Sequence, residues 1–432
     1  MYLGRINLDD MKKRTFIKYI STAAAAGPFL LNTWPVKAAE GGRSMAAKPE
    51  NMDWAQVRKD YELKSDYINL ESGYYNIIPK PTMQVFLEQV QLVNYEGSYY
   101  MRTVQWENKK RITERLAKLV GCTQESVAIT RNTTESLDLV IGGYPWQAGD
   151  EAIFAEQDYG AMQDHFELVA QRYGVVLKKV SVPNHPKSDE EIVSLYESQI
   201  TAKTRMLMIC HMINITGQIL PVRKICDMAH KHGVEVLVDG AHCVGHIKVD
   251  IPALDCDYYG SSLHKWLSTP LGAGLLYVKK AHIPKIWPLL AQHKTEADDM
   301  LKLNHTGTHP VHTDLAIDAA IDYLEWLDLD RKEARMRHLQ RYWTTPLRKS
   351  TGIIINTPED PIRSCGIANV GIKGLKPADL ATRLLEDYGI FTVAIDGAGV
   401  HGCRITPNVF TTESELDKLM AALTDLALKF GS

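Results

Sequence analysis

Val234-Glu-Val-Leu-Val238-Asp239-Gly-Ala-His242, then Cys256-Asp-Tyr-Tyr-Gly260 running into Ser262-Leu-His264-Lys265-Trp266, is the stretch on which the reading of this chain turns. Val234 to Val238 is apolar and β-branched, the composition of a strand buried on both faces of a parallel sheet. Asp239 stands just past its carboxyl end, where open α/β sheets place ligands. The next strand-like run, 256–260, delivers Ser262, His264 and Lys265 to the same edge. Taken singly, Asp239 reads as a helix cap and Lys265 as a solvated surface charge. A carboxylate and a lysine at two neighbouring strand ends are a different matter.

Outward from this centre, strand-like runs recur at 126–130, 151–155, 175–182, 205–210, 234–238, 256–260 and 273–278, with helical stretches at 160–173, 188–200 and 222–232. Strands alternating with helices predict an α/β fold with a seven-stranded, mostly parallel sheet covered on both faces, its last strand antiparallel. Beyond about residue 315 the pattern changes to long helices at 314–327 and 331–349, short strands near 352–356, 366–373 and 391–395, and a last amphipathic helix at 413–429. The expected organisation is a large domain over 67–315, a small α/β domain over 316–432, and an N-terminal arm over 41–66 that packs on the small domain.

The lysine and carboxylate match what pyridoxal 5'-phosphate (PLP) requires. An amine forms a Schiff base with the cofactor aldehyde, and a carboxylate keeps the pyridine nitrogen protonated so that the ring accepts electrons. Ser262 and His264 are suited to donate to phosphate oxygens. Upstream, Ala128-Ile-Thr-Arg-Asn-Thr133-Thr134-Glu135 passes from a strand through a polar turn into an apolar-periodic helix. A helix N-terminus of that kind is either an ordinary capped end or an anion site.

These motifs resemble the active-site signature of class V aminotransferases, the fold-type I PLP family that includes cysteine desulfurases, kynureninases and isopenicillin N epimerase-like proteins. The resemblance implies that Lys265 carries the cofactor, that Asp239 partners its ring nitrogen and that His242 meets its ring hydroxyl. Thr133, Thr134, Ser262 and His264 would bind phosphate. In Gln157-Asp158-Tyr159-Gly160-Ala161, the loop after strand 151–155, Tyr159 is the candidate ring to stack on the cofactor, with Gln157 the competing alignment. Asn214 in His211-Met-Ile-Asn214 and Arg404 in Gly402-Cys403-Arg404 resemble substrate-binding positions, Arg404 as the partner of an α-carboxylate. Thr308, in Asn304-His-Thr306-Gly307-Thr308-His309, resembles the element that reaches the neighbouring subunit's phosphate, which implies a homodimer with a shared site. The histidines at 305, 309 and 312 lack the carboxylate or cysteine that would complete a metal spacing, and no metal is expected.

With 432 residues, 45% apolar, 23% charged and a net charge of −3, the chain reads as a globular enzyme with no basic field for nucleic acid. Residues 1–40 differ. Lys12-Lys13-Arg14-Thr15-Phe16-Ile17-Lys18, a weakly apolar run to Leu31 and Val36-Lys-Ala38-Ala39 form the three regions of an export signal, too short for a stable membrane anchor. Lys13-Arg14-x-Phe-Ile-Lys18 resembles a twin-arginine (Tat) signal with lysine for the first arginine; Met11 is an alternative start. A periplasmic location through the Tat machinery is expected, the alternative being a cytoplasmic enzyme with an N-terminal extension. Seven scattered cysteines suggest buried thiols and no disulfide framework.

The reaction expected from the resemblance is attack at the α-carbon of an amino acid or amino-acid-bearing metabolite, by an aminotransferase or an isopenicillin N epimerase-like enzyme. The alternatives are a C–S or C–Se lyase and a scaffold that has kept the PLP fold without turnover. A cysteine desulfurase would need a mobile nucleophilic cysteine before Arg404; Ala394 to Gly402 is short and holds none.

Overall fold

The protein is described by a computed structural model over residues 52–291 and 295–431; the expected export signal over 1–40 and the first part of the arm lie outside the described residues. The central sheet has seven strands: β1 (Val127–Thr130), β2 (Glu151–Ala155), β3 (Val176–Val180), β4 (Thr204–Cys210), β5 (Glu235–Asp239), β6 (Tyr258–Ser262) and β7 (Gly274–Val278). Their order is β1-β7-β6-β5-β4-β2-β3. Pairings are parallel except those of β7, which is antiparallel to both β6 and β1, the mostly parallel architecture read from the sequence. A tight connection can return a strand only antiparallel, and the short β6 to β7 link does so.

Successive side chains of a strand face opposite sides, so each strand feeds two cores. Val236 and Val238 join one with Ile225 and Ala229 from helix Val222–Lys231. Leu237 joins the other with Leu137 and Val140 from helix Thr133–Gly143 and Phe166 from helix Gly160–Tyr173. This double burial is why the strand reads as a continuous apolar run. In-register pairing of Cys210 with Asp239, and of Asp239 with Gly260, sets the ends of β4, β5 and β6 side by side.

A second, antiparallel sheet orders β10 (Val393–Gly397), β11 (Val400–Ile405), β9 (Ala368–Ile372) and β8 (Ile353–Ile355). Its core takes Leu339 and Trp343 from helix Leu329–Leu347 and Leu416, Leu419 and Leu423 from helix Glu413–Phe430. Thr412 and Glu415 close a capping box at the start of that last helix. Of the arm, Trp54–Arg58 forms a helical turn, and Arg58 pairs with Glu415 at 2.8 Å. Ile68–Asn69 runs parallel to Ile390–Phe391.

Two features go beyond the sequence reading. Helices Lys80–Glu96 and Gln105–Leu119 precede the sheet. Strand β11, which carries Arg404, contains Gly402 and two charged or polar positions, a composition that hides strand character. Its pairing with β10 comes from a tight turn at Ala398-Gly399, both with positive φ (53° and 72°).

Candidate active site

From β6 the chain passes into one helical turn, Leu263–Trp266, which sets Lys265 Nζ 3.0 Å from His242 Nε2. On the other side of the imidazole the Trp266 indole donates to Nδ1 at 3.2 Å. An indole only donates, so Nδ1 is unprotonated and the single proton of a neutral ring sits on Nε2. The ring is neutral because burial, reinforced by the charges of Lys265 and Arg404, drives its pKa well below the usual value. When Lys265 is a free amine, Nε2–H can donate to its Nζ. Burial brings the Lys265 pKa down to about 8, against the opposing pull of Asp239. The amine is therefore accessible near neutral pH.

Asp239 is buried at the end of β5 and accepts the Ala241 N–H on Oδ1 at 2.9 Å. Among the described residues its other oxygen has no hydrogen bond and neither forms a salt bridge. Burial raises its pKa, while the Ala241 N–H and Lys265 act the other way. A protonated ring nitrogen would supply the cation that this carboxylate lacks.

Beside these two groups lies an anion cradle. Asn132 caps helix Thr133–Gly143, its Oδ1 accepting the Glu135 N–H at 2.9 Å. Thr133 is thereby free to donate its N–H to Ser262 Oγ at 2.9 Å, with its own Oγ1 2.8 Å from that atom. The loop can close on the sheet because position 274 is glycine; a Cβ there would stand 2.7 Å from the Asn132 backbone. His264 is half-buried, and its Nδ1 is buried with no hydrogen-bond partner. Burial and the neighbouring Lys265 hold its pKa at about 4, so the ring is neutral. Thr134 is half-buried in the first helical turn with no side-chain hydrogen bond. Hydroxyls, a neutral imidazole with an unused nitrogen and a helix N-terminus are a donor set for phosphate. With Lys265 and Asp239 adjacent, the residues present fit PLP.

Tyr159 caps helix Gly160–Tyr173 and is 44% exposed, whereas Gln157 is buried and fully engaged. The Gln157 amide donates to Ala398 O at 3.0 Å and Ser181 Oγ at 3.3 Å, and accepts the Val182 N–H at 2.9 Å. Both residues, with Asn214, Ile215 and the β10–β11 turn, line a pocket of ≈ 330 Å³. Among the described residues the Asn214 side chain makes no hydrogen bond, while its carbonyl accepts Arg404 Nη1 at 3.3 Å.

Arg404 is where the sequence reading was incomplete. Its guanidinium is buried against Glu71, Nη2 to Oε1 at 2.6 Å and Nε to Oε2 at 3.1 Å. Glu71 was not singled out; an isolated acid more than three hundred positions from its partner gives no local signal. Two more buried groups stand behind the lysine turn. The His246 ring stacks on Trp266 at 3.8 Å, and Lys332 Nζ donates to the Trp266 carbonyl at 2.5 Å. Thr308 is exposed and makes no hydrogen bond with the Lys265 group. Nearby, His309 pairs with Asp314 at 3.0 Å. Among the described residues no cluster of three His, Cys, Asp or Glu side chains is arranged to hold a metal. Six of the seven cysteines are buried, Cys122 is half-buried, and all are free thiols.

A sheet edge of this composition, on this fold, defines the class: a PLP-dependent enzyme. The aminotransferase class-V family model matches residues 79–419, and the chain belongs to that family. It is 27% identical to isopenicillin N epimerase of Streptomyces clavuligerus over 395 residues, 87% of this chain and 98% of that protein. A probable cysteine desulfurase of Halalkalibacterium halodurans is 29% identical over 308 residues, 68% of this chain and 74% of that protein. In fold it resembles the apo cysteine desulfurase of Thermococcus onnurineus, with a TM-score of 0.77 at 21% identity over 87% of this chain and 98% of that one. A cysteine desulfurase of Escherichia coli gives 0.75 at 25% identity, covering 88% of this chain and 99% of that one.

Proposed function

We propose that the protein removes the α-proton of an amino acid or amino-acid-bearing metabolite, in transamination or epimerisation. The observation that carries this is the Lys265 amine, held by a neutral His242 and kept basic enough to move a proton but not locked as a cation. When bound, PLP supplies the electron sink for the bond broken at the α-carbon. Lys265 would anchor the cofactor and, as a free amine, hold or move the α-proton of the substrate. Asp239 would hold the ring nitrogen, His242 Nε2–H the ring hydroxyl, and Thr133, Thr134, Ser262 and His264 the phosphate. Tyr159 stacks on the ring, since the Gln157 amide is committed to the backbone around it. Arg404 and Asn214 orient the substrate.

Cleavage of a C–S bond remains the alternative reading, but Cys403 does not offer the thiol for it. Cys403 is buried in β11, its thiol far from the thiolate form that acts as a nucleophile, with burial pushing its pKa up to about 12.

The enzyme acts as a homodimer in which Thr308 serves the partner's site. The exposed Tyr95, Tyr99 and Trp106 on the helices before β1 offer an apolar contact surface. Residues 1–40 export the folded, cofactor-loaded protein to the periplasm by the Tat route.

The test is incubation of the holoenzyme with a panel of amino acids in D2O. Solvent deuterium should enter the α-position, with loss of optical purity for an epimerase or dependence on a 2-oxo acid for a transaminase. Lys265→Ala should abolish exchange and the visible absorption of the lysine-linked cofactor. Release of pyruvate or sulfide without α-exchange into recovered substrate would assign elimination instead; no exchange with any amino acid would favour the scaffold.

A further inference from the structure

Glu71 occupies the position that a substrate carboxylate would take on Arg404. Both residues are 6% exposed, and both carboxylate oxygens face the guanidinium in the two-point geometry that an α-carboxylate uses. The segment around Glu71 is closed tightly on this pair. Tyr74 N–H donates to Oε1 at 2.8 Å, and the Thr406 hydroxyl reaches Oε2 at 3.4 Å. A Cβ on Gly73 would lie 3.1 Å from Arg404 Cζ and 3.2 Å from Glu71 Oε1, a tight approach that would press on both members of the pair. With Nη1 given to the Asn214 carbonyl, three of the five guanidinium N–H groups are used inside the protein.

We propose that Glu71 is a specificity-determining residue that competes with the substrate's α-carboxylate for Arg404, so that a carboxylate alone is held weakly and retention depends on the rest of the molecule. The inference rests on the reading of Arg404 as the carboxylate anchor. A carboxylate arriving there meets one of two situations. If Glu71 stays, two like charges share one guanidinium; if it withdraws, a buried acid loses its cation. Either outcome costs binding energy in surroundings where charge interactions are weakly screened. Because the cost is common to every α-amino acid, selection passes to groups that contact the protein elsewhere. The ≈ 330 Å³ pocket beside Asn214 and Ile215 gives those groups room.

The probe is propanoate, a carboxylate with no amine to react at the cofactor, titrated calorimetrically into holoenzyme. Wild type should bind it weakly, and Glu71→Gln about tenfold more tightly or better, a difference well resolved by titration. Propanoate should also raise the melting temperature of Glu71→Gln more than that of wild type, since a ligand that binds only the folded state stabilises it. Should Glu71→Gln fail to fold, Glu71→Asp, which draws the charge back by one methylene, should gain affinity by a smaller factor. Unchanged or weaker propanoate binding in the Glu71 variants, alongside loss of binding in Arg404→Gln, would overturn the competition while leaving Arg404 as anchor. If Arg404→Gln bound propanoate as wild type does, the anchor reading itself would fail.

Discussion

At the carboxyl edge of the central sheet, Asp239 is buried and Lys265 half-buried, neither in a salt bridge among the described residues, each carrying a pKa displaced toward its neutral form. On β11, in the second sheet, Arg404 is buried and pairs with Glu71 through two hydrogen bonds. The two regions show two ways to keep charge inside a protein. The first leaves groups in deficit, so that a cofactor bringing an aldehyde and a protonated nitrogen relieves the deficit on binding. The second satisfies the charge in advance, which protects the fold but makes any arriving ligand a competitor. Preorganisation for the cofactor and self-sufficiency toward the substrate thus sit at opposite sides of one site.

The contrast is sharpest in stability. Arg404→Met leaves Glu71 buried without its cation, a change expected to cost about 3–5 kcal/mol. Lys265→Met removes an amine whose burial is already unfavourable and should be neutral or stabilising in cofactor-free protein. Urea denaturation of the two variants, with cofactor removed, measures both. Equal losses would mean that Lys265 is held by interactions as strong as those of Arg404, and the distinction would collapse.

A smaller effect comes from pH. The folded Lys265 pKa of about 8 lies below that of an unfolded lysine, ~10.4. Between these values the unfolded chain binds more protons than the folded one, so the Lys265 contribution to the stability of cofactor-free protein should rise with pH across that window and stay level below it. Lys332, also lowered by burial to about 7, contributes in the same direction. The difference between wild type and Lys265→Met isolates the Lys265 part, measured as denaturation midpoints from pH 7.5 to pH 10 in steps. A difference that does not change with pH would show that Lys265 titrates as a solvated lysine.

Much of the first region was legible in sequence and much of the second was not, for a physical reason. Asp239, His242 and Lys265 follow apolar strands whose composition announces them, so the ligand edge follows from residues within about thirty positions of each other. The Arg404–Glu71 pair joins positions at opposite ends of the chain, and β11 is masked by Gly402 and by side chains that do not alternate cleanly. Likewise the contact of Thr133 with Ser262, more than a hundred positions away, has no local signal in the sequence. Local pattern encodes which elements form; which polar groups meet across them is set by tertiary closure.

The smallest effect separates two neighbours that sequence could not. Tyr159 is 44% exposed and free to stack, while Gln157 binds Val182 N–H and Ala398 O and so ties the loop after β2 to the β10–β11 turn. Tyr159→Phe keeps the ring and should leave cofactor affinity almost unchanged. Tyr159→Ala should weaken it by ~0.5–1.5 kcal/mol, the usual worth of an aromatic pair beyond area burial. Gln157→Ala should act on the melting temperature, because it strands a buried N–H and a carbonyl. Spectroscopic titration of PLP and thermal melts of all three variants resolve the pattern. If Gln157→Ala weakened PLP more than Tyr159→Ala at unchanged stability, the stacking assignment would move to position 157, and the loop after β2 would belong with the groups left open for the cofactor.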